Sequence, residues 1–183
     1  MFYHVLKKRH AMKKNTLLLL LIVGFMTNTF SQATASATVT ATIIAPIAIV
    51  NAVDMNFGNI AVQAGGAGSS GTVVIAPAGT RTGTAGVTLP STTGTFTAAS
   101  FNIGGASAYT YVITIPSTGY VITKAATLET MTVSAFTSTP SSTGILTGGA
   151  ETLNIGATLN VAAGQAPGVY SNTTGFDITV NYN

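Results

Sequence analysis

Four carboxylates, Asp54, Glu129, Glu151 and Asp177, are the groups beyond residue 33 best suited to exchange a proton. Hydrolysis of a glycosidic bond needs two such groups, one to protonate the leaving oxygen and one to attack or to activate water. Any two of the four could supply that pair, yet four scattered acids are also what solubility alone demands. The chain has no cysteine, and its two histidines, His4 and His10, lie near its start. Serine–histidine and cysteine–histidine nucleophile systems therefore cannot be assembled beyond residue 33. Disulfides and thiolate metal sites are excluded, and the acids do not follow the one-three-five spacing of a calcium loop. No residue is expected to be catalytic, cofactor-binding or metal-binding, and the protein is expected not to be an enzyme and to need no cofactor.

Three motifs carry less than their letters suggest. Gly66-Ala67-Gly68-Ser69-Ser70-Gly71 spells G-x-G-x-x-G, but that fingerprint cradles pyrophosphate only where a strand leads into a helix N-terminus. Here a strand pattern follows and no lysine does, so a hairpin loop is expected. Asn172-Thr173-Thr174 is a formal glycosylation sequon; it is read as a chance match. Tyr109, Tyr111, Tyr120, Tyr170 and Tyr182, with Phe57, Phe96, Phe101, Phe136 and Phe176, could form a sugar-stacking platform. Aromatics in strands more often fill the space between sheets, and a core role is expected for them.

The first 33 residues read as an address rather than as part of a domain. Lys7, Lys8, Arg9, Lys13 and Lys14 precede an apolar run from Leu17 to Phe25, and Ser31-Gln32-Ala33 supplies small residues for cleavage. A membrane-spanning helix needs roughly 20 apolar residues, and Thr27-Asn28-Thr29 breaks this run short. Cleavage after Ala33 is expected, with Ala35 and Ala37 also meeting the small-residue rule. Met12 is an alternative start, since Met12-Lys13-Lys14-Asn15 and the leucines already make a complete signal peptide. The division is thus 1–33 as signal peptide and 34–183 as a single domain. Five of the seven basic residues fall in the leader, leaving Arg81 and Lys124 against the four acids, a balance of −2. No basic surface remains for nucleic acid, no membrane span follows the leader, and the expected location is secreted: extracellular, cell surface or periplasm.

The elements expected to position these residues are all strands. Residues 34–183 suffice to bury roughly 70% of the unfolded surface without staples. Short strand patterns separated by Gly, Pro and Ser recur along the chain: Ile47–Val50, Thr72–Ala76, Gly86–Leu89, Thr95–Ile103, Tyr109–Ile115, Met131–Phe136, Thr152–Ile155, Ala157–Ala162 and Val169–Tyr182. From Phe176 onward the alternation is strict, predicting one buried face and one wetter face. Only Lys124–Met131 offers even one or two helical turns, so crossover helices have no source. Two packed antiparallel sheets with Greek-key connections are predicted.

The first alternation has two readings. Ala35, Ala37, Val39, Ala41 and Ile43 share one face, opposite Ser36, Thr38, Thr40 and Thr42. This segment is expected to be the first strand of its own sandwich. The competing reading donates it to the open edge of a neighbouring copy, where main-chain hydrogen bonds give strength and alternate side chains fill a groove.

Several stretches together resemble one bacterial family, the domain of unknown function DUF4402. They are Ile44-Ala45-Pro46-Ile47, Asp54 to Ile60, Leu153 to Leu159, Ala166 to Tyr170, and Phe176 to Tyr182. More distantly the chain is similar to spore-coat-U-like and pilin-like secreted subunits, although it lacks the cysteine pair of ordinary pilins. The resemblance implies an immunoglobulin-like or pilin-like antiparallel β-sandwich with a surface or pilus-like role, and it carries over no catalytic residue. The expected function is a structural or adhesive surface subunit whose partners are copies of itself or other surface subunits, met through terminal strands. The alternative is an extracellular module for binding carbohydrate or matrix.

Overall fold

A computed structural model describes residues 32–62, 68–125 and 127–183. The leader therefore lies outside the described residues up to position 31, as do Gly66 and Ala67 of the glycine loop. The chain divides into two units, residues 1–42 and 43–183. Of the first, residues 32–42 carry no strand and are exposed along their length.

The second unit is built from strands in the order β1 (Ala48–Val53), β2 (Asn56–Phe57), β3 (Ala61–Val62), β4 (Gly71–Ile75), β5 (Arg81–Gly83), β6 (Val87–Thr88), β7 (Phe96–Thr97), β8 (Ala99–Gly104), β9 (Thr110–Thr114), β10 (Tyr120–Lys124), β11 (Thr130–Thr139), β12 (Thr143–Ile145), β13 (Ala150–Val161), β14 (Tyr170–Ser171) and β15 (Thr179–Tyr182). A large antiparallel sheet runs β1-β8-β13-β11-β10-β14, with β4 and then β5 attached along the second half of β13. A small antiparallel sheet, β12-β9-β15, forms the opposing layer. Two ribbons, β2-β7 and β3-β6, complete the unit. The predicted all-β antiparallel sandwich is what forms.

Burial along β13 explains its central place. Leu153, Ile155, Ala157, Leu159 and Val161 are buried, while Thr152, Asn154, Thr158 and Asn160 alternate with them on the wetter face. The first half of β13 pairs β8, the second half pairs β4, and the opposite edge pairs β11. Val73 and Ile75 from β4, Ile103 from β8, and Tyr111 from the small sheet are also fully buried. Each such apolar side chain contributes about 1.5–3 kcal/mol by leaving water. Among the described residues no polar or charged residue is fully buried.

Several boundaries differ from the expected ones. Residues 35–43 form no strand: Val39 is 94% exposed and Ile43 98% exposed, so the first strand is β1, which starts five residues beyond Ile43. Thr152–Ile155 and Ala157–Ala162 are one strand, because Gly156 does not break the ladder. Instead its missing side chain lets Ile75 and Pro77 approach; a Cβ there would sit 2.7 Å from the Pro77 nitrogen. Lys124–Met131 turns between β10 and β11, with the Leu128 amide bonded to the Lys124 carbonyl. The stretch Val169–Tyr182 is interrupted. Only β14 and β15 are strands, and Phe176 to Ile178 continue the alternation without a ladder partner.

Candidate functional site

The four acids are each occupied locally or left in solvent. Asp54 accepts a 2.7 Å hydrogen bond from the Asn51 amide, and Asp177 is exposed. Glu129 accepts from the Thr127 hydroxyl and faces Lys124 at 3.7 Å. The Thr127 bond, more than the Lys124 charge, holds its carboxyl below the usual range. Glu151 accepts from the Tyr111 hydroxyl at 2.7 Å and from the Ile145 amide at 3.0 Å. Burial, reinforced by Glu151, pushes the Tyr111 hydroxyl well above the ordinary tyrosine value. Among the described residues no three His, Cys, Asp or Glu side chains gather to hold a metal. The sequon residue Asn172 is absorbed into a turn, donating to the Val121 carbonyl at 2.9 Å and accepting from the Thr174 amide at 2.8 Å.

The aromatic residues lead elsewhere. Tyr111 and Phe136 belong to the core, but Phe101, Tyr120 and Phe176 are only half-buried. Phe176 is their hub, with its ring centroid 4.9 Å from Phe136 and 6.4 Å from both Phe101 and Tyr120. Around them the sandwich is open. A groove of about 1590 Å³ lies over the inner face of the large sheet, floored by Ala99, Phe101, Tyr120, Ile122, Met131, Val133, Leu159 and Val161. Residues 54–62 form one wall and residues 164–176 the other. The cause is a mismatch between layers: three strands in the small sheet face eight in the large one.

The first wall is fixed from outside the groove and the second by residues of its own lining. Arg81 anchors the first, its Nη1 donating to the carbonyls of Phe57 at 2.8 Å, Asn59 at 3.2 Å and Thr93 at 3.3 Å. Its guanidinium also lies 4.7 Å from the centre of the Phe96 ring, a cation–π contact. The Thr97 hydroxyl donates to the Asp54 carbonyl at 2.7 Å, and Asn59 reaches the Thr92 carbonyl at 3.1 Å. On the second wall, the Tyr120 hydroxyl bonds Thr174 at 2.8 Å and the Gly175 carbonyl. Gln165 donates to the Tyr170 hydroxyl at 2.8 Å, which in turn donates to the Ala166 carbonyl at 2.8 Å.

The groove is nearly neutral, since of its lining residues only Asp54 carries a charge. It offers apolar surface along its floor. Among the described residues, 54–62 pair in ladders only through the two-residue strands β2 and β3, and 164–176 only through β14.

Residues 47–182 match the model of the family described as Domain of unknown function (DUF4402). The chain belongs to the DUF4402 family. No curated protein and no solved structure matches it. Of the stretches by which the sequence resembles DUF4402, Asp54–Ile60 and Ala166–Tyr170 are parts of the two groove walls, and Leu153–Leu159 is the central strand. The groove itself was beyond the sequence reading. Met55, Phe57 and Ile60, apolar residues in a stretch with hardly any strand, were the available signal.

Proposed function

We propose that this DUF4402 protein is a non-enzymatic structural or adhesive subunit of the cell surface, which assembles by taking an extended segment into its groove. The observation that carries this reading is the groove: an uncovered apolar floor between two braced walls in which β2, β3 and β14, each two residues long, are the strands among the described residues. Covering the floor with one strand would remove apolar surface from water and add main-chain pairing along the walls. The export-type leader in the sequence supports a place outside the cytoplasm.

Ile122→Arg puts a charge on the groove floor and tests the reading. The full chain should form higher-order species by light scattering and electron microscopy, and the variant should stay small while keeping its circular dichroism. A folded variant that assembles as before would refute strand addition.

A module for surface carbohydrate is the second reading. It is favoured by the Tyr120 and Tyr170 rings that line the groove. Binding on a glycan array that disappears with Tyr170→Ala would support it.

A further inference from the structure

We infer that the groove's occupant is residues 34–43 of a second copy of this chain, joined head to tail. The inference rests on the strand-addition reading above and names the partner.

The segment is an unpaired strand by composition. It alternates Ala35, Ala37, Val39, Ala41 and Ile43 with hydroxyl side chains, carries no charge, and is strand-free and solvent-exposed along most of its length. Val39 at 94% and Ile43 at 98% exposure are the two most exposed large apolar side chains of the described residues. Ten extended residues span about 33 Å, which suits walls of nine and more residues. Side-chain size is complementary too. The floor presents Phe101, Tyr120 and Met131, and over such bulk an apolar face of three alanines, one valine and one isoleucine fits where a leucine-rich one would be overpacked. Neutral segment and nearly neutral groove meet without burying an unpaired charge.

Polarity follows from where the chain enters the sandwich. The Ala45 carbonyl accepts a 2.9 Å hydrogen bond from the Tyr182 hydroxyl, and Ala48 pairs with Gly104 at the far end of β8. Ala99 and Phe101, at the near end of β8, line the groove. Entry point and groove thus lie at opposite ends of β1. A contact made through different surfaces on the two copies does not close on itself, and repetition gives a filament.

The full chain contains no cysteine, so introduced thiols have no native competitor. Neighbouring strands bring Cα atoms to about 4.5–5.5 Å, within the reach of a disulfide. Single variants Val39→Cys and Ile43→Cys would each be mixed with Ile60→Cys, Ala61→Cys, Thr173→Cys or Thr174→Cys, covering both walls and both side-chain parities. After mild oxidation, a species of doubled mass that needs both partners and vanishes on reduction is the expected result. Absence of every mixed bridge would overturn the assignment, as would a bridge formed only within one chain of the double variants. If Ile122→Arg blocks assembly while no bridge forms, the groove binds another segment and only the occupant is wrong. If Ile122→Arg leaves assembly intact, strand addition itself fails.

Discussion

The Arg81 Nη1 atom sits 2.8 Å from the Phe57 carbonyl oxygen, and that bond ties β5 of the large sheet to a wall of the groove. Two further carbonyls share the same nitrogen. Hydrogen bonds to a charged donor contribute about 1.5–3 kcal/mol, so Arg81→Ala should lower the stability of the isolated chain by about 2 kcal/mol in urea denaturation. Arg81→Lys should recover only part of the loss, because an ammonium cannot stack on Phe96 as a planar guanidinium does. Full stability of the alanine variant would show that the wall needs no such anchor.

Gly156 should tolerate no side chain. A Cβ there meets the Ile75 carbonyl and Pro77, backbone and ring atoms that cannot swing aside. Overpacking of this kind costs about 1–3 kcal/mol, whereas Gly148→Ala, where nothing stands within 4 Å, meets no clash but does meet the strain of a φ of +68°. Thermal melts of the two variants should therefore differ in cause as well as size: a longer side chain, such as valine, should worsen the loss at 156 more than at 148.

Alkali should unfold the protein through Tyr111. Its folded-state pKa is raised, so the folded form keeps a proton that the unfolded chain gives up above about pH 10. The contribution of this group is complete below that pH and declines as pH rises toward the folded value. Stability measured from pH 8 to 11 should fall, and Tyr111→Phe should flatten the slope while leaving Glu151 to find other donors. An unchanged slope in that variant would place the alkaline sensitivity elsewhere.

The sandwich was legible in the sequence because its central strands obey period 2 with light interruption. Leu153 to Val161 announces a buried face by alternation alone, whereas Met131 to Phe136 loses the alternation at Ala135, where the ladder to β13 shifts register. The groove was not legible, because it is made by what fails to pair. Phe176 and Ile178 alternate as a strand should, yet β15 begins only at Thr179, opposite Thr114 at the end of β9. No local pattern tells a strand with a neighbour from one whose neighbour is missing. The segment 35–43 misled for the same reason, since alternation records suitability for a sheet and not membership of one.

Timing of synthesis is a consequence of where β13 falls. This strand bonds β4, β8 and β11, yet it occupies residues 150–161, after all three. The growing polypeptide thus accumulates the β1-β8, β4-β5 and β10-β11 pairs with no central strand to join them until residues 150–161 emerge. Contacts bridging such long stretches of chain form slowly. Native structure should arrive late and all at once, as one cooperative event set by the arrival of a single strand.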